Sequence, residues 1–210
     1  MTRADRNLDT REALLATAER LYAEEGIHPV SNRHVSEAAG QGNNAAVAYH
    51  FGTKMDLVRA ILEKHSRSIE EIRLQMVARV EGSDDLQDWV ACLIRPYVSH
   101  LDSLGSPSWY GRFSVQLISD PVLRSVAYAR AGELRALKPT LAGLERCLPE
   151  LPVSVRKIRG DMARNLMMHT CADKEMEFAE NPDVPPNWTD CGTDLIDATV
   201  GIWRAPVSRS

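Results

Sequence analysis

The chain has 210 residues, a formal net charge of −4, 44% hydrophobic and 26% charged residues. That supply of apolar side chains builds a real core, while the lack of any continuous apolar stretch of ~18 residues excludes a membrane-spanning helix. The start MTRADRNLDTR has no apolar signal segment, and Cys92, Cys147, Cys171 and Cys191 form no C-x-x-C pair. The chain therefore reads as a cytoplasmic protein with reduced, buried thiols.

A first helix is predicted from about Asp9, where Asp9-x-x-Glu12 forms a capping box, to Gly26. Leu14, Ala18, Leu21 and Tyr22 recur on it at helical spacing. After the link Ile27–Val30, Ser31 caps a short helix carrying Val35, Ala38 and Ala39. Gly40-Gln41-Gly42 breaks it, because glycine supplies the positive φ that a tight turn requires. A second short helix follows from about Asn43 to His50, its alanines 45, 46 and 48 grouped around Val47. Small residues let two helices approach closely, so the pair reads as a helix-turn-helix. Tyr49-His50-Phe51 closes it and Gly52 ends it.

Thr53-x-x-Asp56 then caps a long helix in which Leu57, Ile61, His65, Ile69, Ile72, Met76 and Val80 share one face. His65 is expected there as a core histidine with a backbone partner. A fifth helix runs from Asp84 to about Leu104, with Pro96 predicted to bend it. Ser106-Pro107 and Asp120-Pro121 are cap-plus-proline starts, delimiting a short helix Trp109–Ile118 and a longer one from Val122 to about Cys147. Beyond the break Leu148–Pro152 come two long helices, Val153 to about Glu180 and Trp188 to about Trp203. The pattern predicts an all-α protein of about nine helices.

The run Ala38-Ala39-Gly40, then a short polar helix, then Tyr49-His50-Phe51-Gly52-x-Lys54, resembles the N-terminal DNA-binding domain of TetR/AcrR-type regulators. The likeness extends back through Leu14–Gly26 and forward through Ile61, covering roughly residues 8–66. It departs in the turn, where most members are one residue shorter and carry Val-Ser in place of Gln41-Gly42. The resemblance implies a three-helix helix-turn-helix domain over residues 1–52. It also implies a helical ligand-binding and dimerisation domain over 53–210, in a cytoplasmic homodimer that binds double-stranded operator DNA and a small-molecule effector, with no membrane partner.

Asn43 and Asn44 are candidates for base-edge contact, because an amide both donates to and accepts from adenine. Helix capping is the other role open to each. Ser31, Arg33, His34 and Gln41 lie on the approaches, while Tyr49, His50 and Lys54 match family positions that touch the DNA backbone. The first sixty residues hold seven Lys/Arg against eight Asp/Glu, so phosphate binding rests on a few placed side chains.

In the middle of the chain, Trp89, Tyr97, Trp109, Tyr110, Phe113 and Leu117 supply an apolar lining of the kind small-molecule pockets favour. Met162, Leu166 and His169 add a deformable edge from the penultimate helix. Arg95, His100, Arg112, Gln116 and Asn165 are further candidate polar anchors. Ile158, Leu195, Thr199 and Ile202 form stripes on the last two helices that suit either an internal core or, as the resemblance implies, a subunit interface. No nucleophile elbow, phosphate loop or dinucleotide fingerprint is present, and Cys171, Cys191 and His169 lack metal-ligand spacing. The reading is a ligand-responsive repressor that is not an enzyme and needs no cofactor. A helical binding or enzyme module with a degenerate DNA-binding domain is the alternative.

Overall fold

The structure, a computed structural model, describes the backbone of residues 3–208 and the side chains of residues 7–208. Ten helices account for the regular structure among the described residues. The first four are α1 (Arg3–Glu25), α2 (Asn32–Ala38), α3 (Ala46–His50) and α4 (Lys54–Arg79). They are followed by α5 (Leu86–Leu104), α6 (Tyr110–Ser119), α7 (Pro121–Gly132), α8 (Leu137–Cys147), α9 (Val153–Glu180) and α10 (Trp188–Arg204). Among the described residues, no helix is long and apolar enough to cross a membrane.

The all-helical expectation holds, with three differences in the elements. Helix α1 begins at Arg3, so Asp9 lies inside it rather than capping it; nothing between residues 3 and 9 breaks a helix. The single helix expected over 122–147 is two, because the chain turns at Glu133–Ala136 and Glu70 of α4 accepts a hydrogen bond from the freed Ala136 N–H. Helix α6 starts at Tyr110 with no side-chain cap of its own, so Ser106 is not its cap. Glu175 of α9 performs that task instead: its carboxylate accepts from Gly111 N and Arg112 N at 3.0 Å each and from Ser108 Oγ at 2.9 Å. Helix α5 runs on through Pro96.

The N-terminal unit packs α1, α2, α3 and the start of α4 around Leu14, Ala18, Val35, Val47 and Leu57, all fully buried. In the body, α5 is central, packed by α4, α8 and α10. Gly143 of α8 lies so close to Trp89 of α5 that a Cβ there would fall 2.2 Å from the indole. Tyr22 of α1 and Phe113 of α6, both without exposure, stack at 6.3 Å and join the two regions. Burying two such rings contributes on the order of several kcal/mol to that junction.

Candidate functional site

Local bonds hold the two short helices. Ser31 Oγ accepts from His34 N at 3.1 Å, capping α2, and Gly40 turns the chain at φ +68°. Asn43 Oδ1 accepts from Ala45 N at 2.9 Å, so Asn43 serves the turn and α3 starts three residues later than expected. Ser36, buried on α2, donates to Asn32 O and accepts from Val47 N of α3 at 3.3 Å. That residue ties the two helices together.

The outer surface of this unit carries Asn44, Ala48 and Tyr49, with Tyr49 74% exposed and edge-on to His50. Nothing in the unit covers Tyr49, although burying such a ring is favourable. Arg33 is held by Glu37 at 2.7 Å, and His34 lies 3.8 Å from Glu25. Gln41 Nε2 donates to Ala39 O. Lys54 Nζ donates to Ile27 O and His28 O at 2.9 Å each, and burial lowers its pKa. Its ammonium thus pins the link after α1 to the start of α4.

Between α4, α5, α6, α7, α8, α9 and α10 lies a cavity of about 550 Å³. Of the residues expected around it, Tyr97, Tyr110 and Leu117 line it. Trp89 instead donates its indole N–H to Ser83 O beneath α8, and Trp109 donates to Glu24 of α1. Phe113 packs on Tyr22. On α9 the cavity meets Gly160, Ala163, Arg164, Met167 and Met168, while Met162 and His169 are exposed and Leu166 is half-buried outside the lining. Arg112 bonds Glu175, Asn165 is exposed, and His100, Arg95 and Gln116 also lie outside the lining.

Arg73, Arg130 and Arg164 also line the cavity, as do Tyr128 and Trp203. Aromatic density in the sequence pointed elsewhere, because a helical stripe does not reveal which neighbour it meets. An outer cleft of about 450 Å³ between α4 and α7 shares Leu62 and Arg130 with the cavity.

One buried polar chain connects the cavity wall to α1. His65 of α4 stacks on Tyr110 at 3.8 Å, bonds Glu19 of α1 through Nε2 at 2.8 Å, and meets His100 of α5 through Nδ1 at 2.7 Å. A carboxylate only accepts, so His65 Nε2–H donates to Glu19, while His65 Nδ1 and His100 Nε2 share the second hydrogen bond. The partner of His65 is therefore side chains on two other helices, not the backbone expected. Burial, then the neighbouring His65 and Lys64, outweighs the pull of Glu19 and lowers the His100 pKa to about 4.

Leu195 and Thr199, expected at an interface, are 3% and 2% exposed within one chain, packed in the body's interior. Ile158 is 57% and Met162 53% exposed on the outer face of α9, and Ile202 is half-buried. Cys171 and Cys191 are buried thiols on α9 and α10. Among the described residues, no group of three or more His, Cys, Asp or Glu is placed to hold a metal ion.

Residues 14–61 match the sequence profile of the bacterial regulatory proteins of the tetR family. The HTH-type transcriptional regulator AcrR of Shigella flexneri is 32% identical over 74 residues, 35% of this chain and 34% of that protein. The match thus spans about a third of the length of this curated relative. In fold, the chain is similar over its whole length to the TetR family transcriptional regulator PfmR from Thermus thermophilus, with a TM-score of 0.52 at 16% identity and full coverage of both chains. It is likewise similar to SmeT, the repressor of the Stenotrophomonas maltophilia multidrug efflux pump SmeDEF. There the TM-score is 0.53 at 17% identity, over 92% of this chain and 89% of that one.

Proposed function

We propose that this TetR/AcrR-family chain is a cytoplasmic, ligand-responsive transcriptional repressor: a homodimer whose two helix-turn-helix units bind operator DNA and whose cavity takes a small effector. The observation that carries the reading is the packed line from Tyr110 on the cavity wall through His65 to Glu19 on α1. A ligand that moves Tyr110 disturbs His65, and with it the seating of α1 against α2 and α4. Such a ligand shifts the equilibrium only by its differential affinity for the DNA-bound and released conformers.

In the major groove, exposed Asn44 would read base edges, while Tyr49 would contact the phosphate backbone, with Arg33 and His34 on the approach. Two units would occupy half-sites roughly 34–36 Å apart, or at a related spacing. The outer face of α9, with Ile158 and Met162 exposed, supports a subunit interface there. A gel shift with DNA from upstream of the protein's own gene, read across a salt series, tests the reading. Asn44→Ala is expected to cost about 1–3 kcal/mol at particular operator bases, and Tyr49→Ala to weaken binding evenly across sequences. Unchanged affinity in both variants removes this surface from DNA recognition. No DNA binding by the wild type leaves the enzyme or binding-module alternative.

A further inference from the structure

The charged groups on the cavity wall are all of one kind. Its lining includes three arginines and, among the described residues, no aspartate or glutamate. Each guanidinium has an acidic partner three residues away on its own helix or just past its end, and each of those carboxylates stands outside the lining: Arg73 with Glu70 at 3.3 Å, Arg130 with Glu133 at 2.8 Å, and Arg164 with Asp161 at 2.7 Å. Glu133 and Asp161 are 67% and 46% exposed, so water screens their hold on the arginines. Arg73 is 6% exposed, and burial lowers its pKa, which means the protein carries that cation at a desolvation cost.

Three buried polar atoms of lining residues have no hydrogen-bond partner within 3.5 Å among the described residues: Tyr97 Oη, with the Ser114 hydroxyl as a polar neighbour, Thr199 Oγ1 and Arg164 Nε. Tyr97 is 4% and Thr199 2% exposed. Native structures satisfy most buried polar groups, and each exception calls for a physical account. Burial raises the Tyr97 pKa well above its ordinary value, so at neutral pH it keeps the proton it would donate. A guanidinium Nε–H is donor only. An acceptor satisfies all three, since the two hydroxyls donate as well as accept, and a wall whose only charged side chains are arginines favours an anionic one. The rest of the wall, including Leu93, Leu117, Leu141, Leu144, Met167 and Trp203, is apolar.

We infer that the cavity binds an amphipathic organic anion, with a carboxylate head taken up by Tyr97, Thr199 and Arg164 in the field of Arg73, and an apolar body lying against the leucines and methionines. The head satisfies the orphaned donors as charge-assisted hydrogen bonds, about twice as strong as neutral ones. A neutral polar head would meet the same hydroxyls without the attraction of the guanidiniums, and a cationic head would meet three like charges. The inference rests on the cavity being the effector site of the proposed repressor.

Titration calorimetry of the full chain with decanoate, decanol and decyltrimethylammonium separates the cases, since the three share one apolar body. Decanoate is expected to bind at least tenfold more tightly than either of the others. Tyr97→Phe and Arg164→Gln are each expected to weaken decanoate several-fold and leave decanol unchanged, with melting temperatures confirming that the variants fold. The inference is overturned if decanol or the ammonium binds as tightly as decanoate, if none of the three binds, or if the double variant keeps full decanoate affinity. Operator binding, followed in parallel by gel shift, keeps the two readings apart. Intact DNA binding without anion preference sinks this inference alone. Anion preference in a chain that binds no DNA sinks the regulator reading, and the cavity then stands as an anion site without an effector role.

Discussion

In the N-terminal unit, Ser31, Asn43 and Thr53 each satisfy a backbone N–H two or three residues along the chain. In the helical body, the start of α6 is satisfied by Glu175, 64 residues away on α9, and Ala136 by Glu70, 66 residues away. The helix starts of the first region are fixed by bonds that sequence neighbours make, with Ser36 and Lys54 adding longer ties. The second is shaped by buried carboxylates and guanidiniums reaching between helices. Local caps fix a small surface with Asn44 and Tyr49 exposed. Long-range ties let the body enclose a cavity and still leave donors on its wall unsatisfied.

The largest test of that contrast is Glu175→Ala. It strips the acceptor from Ser108 Oγ, two backbone N–H groups and Arg112 Nε, all part-buried or buried. Breaking a buried ion pair from one side costs about 3–5 kcal/mol. Chemical denaturation should register that loss, and hydrogen exchange should place it in α6 and α9 well before α2 and α3. Equal deprotection of both regions would mean that they unfold as one unit and that the contrast is not energetic.

Next in size is the response to acid. His100 takes its proton near pH 4 in the folded chain and near 6.5 when unfolded. Between those values the unfolded state binds more protons, so this group's contribution to stability is present above pH 6.5 and is lost as pH falls to about 4. A shift of that size corresponds to roughly 3–4 kcal/mol at most. Urea unfolding at several pH values, compared with His100→Asn, should show a shallower acid limb in the variant. Identical limbs would remove the buried Glu19–His65–His100 chain from the energetics.

Smallest is Ser31→Ala, expected to cost about 1 kcal/mol through the lost cap of α2. Its effect should stay within α2 and α3 in hydrogen exchange. Spread into α5 or α9 would show that the N-terminal unit is not locally held.

The helix-turn-helix was readable because its signals are short-range: a cap at Ser31, a glycine turn and a capping box at Thr53-x-x-Asp56; of the alanines expected to pack around Val47, only Ala46 is buried, while Ala45 and Ala48 are exposed. The cavity was readable only in part. Tyr97, Tyr110 and Leu117 were named from aromatic and apolar concentration, and they do line it. Trp89, Trp109 and Phe113 belonged to the same concentration but pack on α8 and α1 instead. On α9, both faces carry apolar residues, and periodicity cannot say which turns inward. The stripe through Ile158 and Met162 proved to be the outer one.

What the sequence determined by itself is therefore the helical class and the N-terminal pair of short helices, since caps, turns and periodicity act within a few residues. The tertiary structure alone decided that His65 joins Glu19 to Tyr110, that Leu195 and Thr199 face the chain's own interior, and that three arginines without a facing acid line the cavity. Those facts depend on which helix faces which. That choice is made by the packing of side chains far apart in the chain, and no local pattern encodes it.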